Sequence, residues 1–200
     1  MQLGKVLYPV TALGPGERAG IWFLGCARGC EGCSNPELQP FDKSKETDVA
    51  KVCELVRSFG CTRVTVSGGE PFLQAEELDR LLAGLEEIGV TDILVYTGYT
   101  LEELGREFGE LAERILSRVT VLVDGDFRKE LRDEVPLRGS SNQRVIVLDE
   151  AYRREYEEYM RQERRVDVFG FAHETHFIGI PPEDYDRLYA GLIKARGKNE

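Results

Sequence analysis

The chain has 200 residues, and its 26 basic against 36 acidic side chains give a formal net charge of −10. That length suits one compact domain, and a composition 42% hydrophobic and 31% charged is ordinary for a soluble globular protein. No apolar run approaches the ~20 residues of a membrane span and MQLGKVLYPV lacks a secretory apolar core, so a cytoplasmic protein without membrane or general nucleic-acid partners is expected.

In chain order, Ile21 to Leu24 is a short apolar run that ends at Gly25, just before a cysteine-rich loop. Val49, Val52, Cys53, Val56 and Phe59 follow at helical spacing, with Gly60 as a stop signal. Val64 and Val66 alternate as a strand that runs into Ser67-Gly68-Gly69. Leu78, Leu81, Leu82, Leu85 and Ile88 mark the next helix, which stops at Gly89. Ile93 to Thr97 reads as a strand. After it, Thr100 and Glu103 form a capping-box pair that opens a helix with a stripe from Leu101 to Ile115. Val119 to Val123 is the next strand, followed by the turn Asp124-Gly125-Asp126. Val145 to Leu148 and Val166 to Phe171 are further strands, with a charged helix (150 to 164) between them and a closing helix over 184 to 195. Tyr152, Tyr156 and Tyr159 are spaced to pack one face of the charged helix.

Strands separated by helices of this length require crossovers, hence a mainly parallel α/β sheet with crossover helices. Periodicity leaves open whether it is an open sheet or a partly closed barrel. In either form ligands bind at the C-terminal strand ends. The cysteine loop, SGGEP, TGYT and DGDF each follow a strand, so they are expected on one rim.

Five cysteines is an odd number, and three of them, Cys26, Cys30 and Cys33, crowd into GCARGCEGCSNPE. A secreted disulfide framework would use an even set spread over the domain. Crowded thiols suggest a soft-metal site instead, either iron–sulfur or zinc with a fourth ligand. Cys53 and Cys61 lie on a helical stripe and at a strand start. Glycines interleave with the three loop thiols, which lets backbone wrap closely around a bulky group. Three thiolates are one fewer than the usual four of a 4Fe-4S cluster, which leaves one iron open to a small molecule.

The CxxxCxxC loop after a first strand, followed by GGEP after the second, resembles the radical S-adenosylmethionine enzymes. GPGERAGIWFLGC, CxGC with Asn35, SGGEPFLQ, VYTGYT, VDGDF and RGSSNQR resemble the small glycyl-radical activating enzymes of that superfamily, in order from Gly14 to Arg144. The resemblance implies a partial (βα) barrel in a single domain, with 1–148 the cofactor core and 149–200 a C-terminal extension. It also implies that Cys26, Cys30 and Cys33 hold three irons of a 4Fe-4S cluster while S-adenosylmethionine chelates the fourth. Reductive cleavage of that cofactor would then place a radical on a glycine of a partner enzyme. The implied partners are a glycyl-radical enzyme, with anaerobic ribonucleotide reductase first in view, and a one-electron donor such as flavodoxin or ferredoxin.

The same resemblance assigns cofactor contacts to Gly32, Ser34, Gly68, Gly69, Glu70 and Asp124. Gly68 and Gly69 would let backbone approach the methionine moiety. Glu70 would pair with its ammonium or brace the turn, and Asp124 would accept from a ribose hydroxyl or simply form an Asp-Gly turn. Arg18 meets a cofactor carboxylate or caps a strand; RGSSNQR positions a ligand or forms a solvated loop; His173 and His176 receive no role. Gly32 and Ser34 flank the third cysteine where relatives often carry an aromatic, Asp126 stands where DGPF has proline, and the section from Ala151 is longer than a minimal activase needs. A radical enzyme with another peptide or small-molecule substrate, and a non-catalytic iron–sulfur or zinc protein, are the alternatives.

Overall fold

The computed structural model describes residues 1–171 and 174–180. Six strands form one sheet in sequence order: β1 (Leu3–Val10), β2 (Arg18–Phe23), β3 (Arg63–Gly68), β4 (Asp92–Tyr96), β5 (Val121–Asp124) and β6 (Arg144–Val147). Strands β2 to β5 are mutually parallel, whereas β1 and β6 run antiparallel at the edges. The helices between the parallel strands are α1 (Val49–Phe59), α2 (Ala75–Glu87), and the pair α3 (Leu101–Phe108) and α4 (Glu110–Leu116). α5 (Arg153–Met160) follows the sheet, then a separate hairpin of β7 (Asp167–Phe171) and β8 (Glu174–Ile178). The expected α/β class with a mostly parallel sheet is therefore present.

The sheet is covered on both faces, and so all six residues of β2 are buried. Ala19, Ile21 and Phe23 point with Val64, Val66, Ile93 and Val95 toward α1 and α2, where Leu78, Leu81, Leu82 and Leu85 complete the main core. The alternate residues face the other way. Trp22 packs there with Leu13 and Ile178, and Leu94, Val121 and Val123 pack with Tyr156 and Tyr159 of α5.

Local signals explain most boundaries. Asp48 caps α1 by accepting from Ala50 N–H, and Gly60 ends the helix in the left-handed conformation. Thr100 and Glu103 form the expected reciprocal capping box at the start of α3. The stripe from Leu101 to Ile115 is not one helix, however. Gly109, at φ +51°, breaks it into α3 and α4. β1 has no clear strand signal in the sequence, because Gly4 and Pro9 interrupt its alternation. The loop from Gly125 to Gln143 contains no crossover α-helix, so β6 returns beside β5 antiparallel. Val166 to Phe171 does form a strand, but it pairs with β8 rather than with the main sheet. The charged helix shortens to α5, preceded by a 3-10 turn at Glu150–Tyr152. The expected helix over 184 to 195 lies outside the described residues.

At the N-terminal ends of the strands lies a buried charged cluster. Arg18, fully buried, donates to Asp92 at 2.6 Å, to Thr65 Oγ1 at 2.8 Å and to the Val64 carbonyl at 2.7 Å. Tyr156 of α5 donates its hydroxyl hydrogen to the same Asp92 at 2.8 Å. Arg18 thus ties the N-terminal ends of β2, β3 and β4 together, which fits the strand-capping role and sets the cofactor-carboxylate role aside: it lies at the opposite end of the sheet from the cysteines.

Candidate functional site

The cysteine loop begins where β2 ends. Gly25 N–H donates to the Leu38 carbonyl and Cys26 N–H to the Gln39 carbonyl, each at 2.8 Å, so both sides of the loop are pinned. Gly29 and Gly32 take φ of +61° and +75°, backbone conformations that side chains resist and that wind this short loop tightly. Cys26, Cys30 and Cys33 are free and partly exposed. Burial pushes the Cys26 thiol up from its ordinary range, while the Arg28 N–H, 3.5 Å from its sulfur, pulls the other way.

Gly69 N–H donates to the Phe23 carbonyl at 2.9 Å, and Glu70 N–H donates to the Gly25 carbonyl at 2.8 Å. The SGGEP turn therefore docks on the base of the cysteine loop. A Cβ on Gly69 would overlap the Gly25 carbonyl oxygen and stand 2.6 Å from its carbon and 2.9 Å from the Leu38 oxygen. A Cβ on Gly68 would overlap Phe23 backbone. Both glycines line the cavity, but protein backbone already requires their lack of a side chain.

Glu70 is 1% exposed, and its carboxylate accepts from Phe72 N–H at 3.0 Å, Thr97 O–H at 2.8 Å and Gly98 N–H at 2.7 Å. Arg28 stands 3.7 Å away, and its guanidinium lies over the Tyr99 ring at 4.1 Å. Burial raises the Glu70 pKa against these donors. Of the two expected roles, the geometry supports the brace: Glu70 joins the ends of β3 and β4 and, through Arg28, the cysteine loop.

The last turn is held by RGSSNQR. Gln143 donates to the Gly125 carbonyl at 2.9 Å and Asn142 to the Asp126 carbonyl at 2.8 Å. Gln143 Oε1 also accepts from Gly139 N–H at 2.8 Å. The segment is an internal clamp on DGDF and not a solvated loop. Asp124 is buried and accepts from Arg144 and from Leu101 N–H at 2.8 Å, so its carboxylate anchors α3 and β6. Gly125 and Asp126, and not Asp124, line the cavity.

The four strand-end motifs do converge. One cavity is lined by Cys26, Cys30, Cys33, Ser34, Gly68, Gly69 and Glu70, with Thr97, Gly98 and Gln143 beside them. Gly32 is outside that lining and sits against Phe127. Arg28, Tyr96 and Asn35 line it too, as do Leu13, Trp22, Val166 and the 177–180 segment. Trp22 belongs to the GPGERAGIWFLGC motif, whereas Val166 and the 177–180 segment lie beyond every motif named above. His176 is on β8 outside the lining, and His173 is outside the described residues.

Among the described residues no three Cys, His, Asp or Glu converge tightly enough for a single metal ion. A cluster whose thiolates each bind a different iron does not ask for that convergence, and three accessible sulfurs round one glycine-wound loop suit it. No helix among the described residues is long and apolar enough to cross a membrane.

Comparison with known proteins agrees with this geometry. Residues 12–146 match the family described as a 4Fe-4S single cluster domain. The chain is 34% identical over 155 residues to the anaerobic ribonucleoside-triphosphate reductase-activating protein of Salmonella typhi, covering 69% of this chain and 94% of that one. The protein of that name from Enterobacteria phage T4 is 29% identical over 146 residues, covering 70% and 90%. The pyruvate formate-lyase-activating enzyme of Staphylococcus aureus strain USA300 is 36% identical over 87 residues, covering 40% of this chain and 35% of its own.

Proposed function

The chain belongs to the 4Fe-4S family of anaerobic ribonucleoside-triphosphate reductase-activating proteins, glycyl-radical activases, and we propose that it uses S-adenosylmethionine to place a radical on its own partner reductase. The observation that carries this reading is the placement of Cys26, Cys30 and Cys33 in one cavity with the SGGEP turn, at the C-terminal ends of parallel strands. Residues 1–148 are the cofactor core of a radical-SAM partial barrel and 149–200 its extension within the same domain.

In this reading Cys26, Cys30 and Cys33 hold three irons and leave the fourth open. When bound, the cluster would supply the single electron for reductive cleavage of S-adenosylmethionine, the chemistry that would end in a radical on a partner glycine. Ser34 and the backbone of Gly68 and Gly69 border the space the cofactor would fill. Glu70 holds the turn rigid through its three donors, and Arg28 pins the loop over Tyr99. The cavity walls exclude water from the reacting atoms once the partner docks. A flavodoxin or ferredoxin would serve as electron donor.

The test is anaerobic reconstitution with iron and sulfide, followed by a strong one-electron reductant, S-adenosylmethionine and the anaerobic ribonucleotide reductase of the same genome. Methionine, 5′-deoxyadenosine and a glycine-centred EPR doublet on the reductase are expected. Cofactor cleavage with no radical on that partner would move the protein to another radical-SAM substrate.

A further inference from the structure

The family match ends at residue 146, and the Salmonella relative is 94% covered by only 69% of this chain. This protein therefore carries sequence beyond what the family requires, and the cavity is where that sequence matters. One side of the cavity is polar, with the three cysteines, Ser34, Glu70 and Gln143. The other side is apolar, and most of it comes from beyond residue 146: Val166, Phe177, Ile178 and Ile180 stand beside Leu13 and Trp22.

We propose that this C-terminal segment is the substrate-selecting wall of the activase, against which the glycine-bearing backbone segment of the partner enzyme lies. The inference rests on the activase reading above. Two observations support it.

First, the wall is built in and not merely leaning on the core. Asp167, at the start of β7, accepts from Thr11 N–H at 2.6 Å, Thr11 O–H at 2.7 Å and Ala12 N–H at 2.9 Å. Ile178 is 2% exposed and packs in one cluster with Leu13 and Trp22. Gly179 has φ +137°, and a Cβ there would stand 2.5 Å from the Arg165 carbonyl oxygen, so the turn presses directly on the neighbouring backbone.

Second, the chemistry of the two sides differs in the way two substrates require. A zwitterionic amino-acid nucleoside belongs on the polar side, because a charge set against the apolar side would lose its hydration without a counter-charge. The apolar side carries no charged lining residue among those described, and so it suits an uncharged segment. Glycine has no side chain, and its Cα hydrogens are exposed to a reagent across a narrow space.

The experiment uses the full chain with Ile180→Lys, which sets a charge on the wall, and Ile180→Met, which keeps it apolar. Ile180 is only partly buried, so both variants should fold, and circular dichroism and iron content check this. Three quantities are read anaerobically: S-adenosylmethionine affinity by titration, partner affinity by calorimetry without reductant, and KM against kcat for radical formation on the reductase. Ile180→Lys should weaken partner affinity and raise KM for the reductase about tenfold while S-adenosylmethionine affinity stays within about twofold, and Ile180→Met should lose much less than Ile180→Lys on both partner readouts. A loss of cofactor affinity as large as the loss of partner affinity would assign the wall to the cofactor and overturn the proposal. Unchanged partner affinity and KM would overturn it as well, with the activase reading intact. Wild-type protein that forms no radical on the reductase would instead remove the activase reading, and the wall assignment with it.

Discussion

Gly69→Ala is the sharpest single test of how the cavity is built. The added methyl would overlap the Gly25 carbonyl oxygen and lie 2.6 Å from its carbon and 2.9 Å from the Leu38 carbonyl oxygen. Real Cβ atoms essentially never approach heavy atoms closer than 3.0 Å. All the atoms met are backbone, so no side chain can swing away. Relief requires moving the β3 end or the base of the cysteine loop, which breaks the 2.8 Å bond from Glu70 N–H to Gly25 or the one from Gly25 N–H to Leu38. Overpacking of this kind costs about 3 kcal/mol at the upper end of its usual range. For a domain of this size that corresponds to roughly 6–12 °C in Tm. Anaerobic urea denaturation of the metal-free protein measures the loss, and iron content after reconstitution reads the displaced loop. The control is Gly105→Ala in α3, where a Cβ meets nothing within 4 Å and the helix should gain about 1 kcal/mol. A Gly69→Ala protein as stable as wild type, with a full complement of iron, would refute the packing argument and return Gly69 to the role of cofactor contact alone.

Other perturbations have equally definite outcomes. Asp92→Ala strips the buried Arg18 of its carboxylate and Tyr156 of its acceptor, and should cost about 3–5 kcal/mol in denaturant titrations. Cys26→Ala, Cys30→Ala or Cys33→Ala should each abolish cluster loading, whereas Cys53→Ala and Cys61→Ala should keep the full iron content; dependence on either of the latter would point to a fully protein-ligated site. Arg144 holds the Glu102 carboxyl at about 2, below its ordinary 4.5. A depressed carboxylate adds stability above its unfolded pKa and loses it as pH falls through the folded one, so this contribution fades between pH 4.5 and about 2. Glu102→Gln should flatten the stability profile in that window, and carbon-detected NMR titration should find Glu102 still ionised at pH 3.

Signals carried by neighbouring residues were legible in the sequence, and those carried by distant ones were not. Asp48, Gly60, Thr100 and Glu103 act within one helical turn of themselves, and each marks a real boundary. The convergence of the four strand-end motifs followed from parallel topology alone. By contrast, Arg18 and Asp92 are 74 residues apart, and nothing local announces that they meet. Asp124 looks like a free turn carboxylate until Arg144 is seen to hold it. Gly69 is legible as a place of close approach, expected toward a cofactor, and in the fold it is the chain's own backbone at Gly25 and Leu38 that it meets. Gly109 gives no sign of its break, because the apolar stripe continues in register across it. The C-terminal wall is not legible in the sequence, because Val166 reads as an ordinary strand residue and Ile178 lies past the last strand signal, and only the folded hairpin brings them to the cavity.

The charged cluster around Arg18 lies at the N-terminal ends of strands whose C-terminal ends carry the thiols. Strand β3 spans six residues, roughly 17 Å at the usual rise, between these two ends. Changes separated by more than about 10 Å without shared partners combine almost independently. Durability and reactivity in this protein therefore have separate addresses. The rim loops can diverge to suit new partners while Arg18, Asp92 and Tyr156 keep the strands in place, and the base can be reinforced for heat tolerance without retuning the rim. An engineer could alter one end and leave the other as a fixed reference, and natural drift in such a chain has the same freedom.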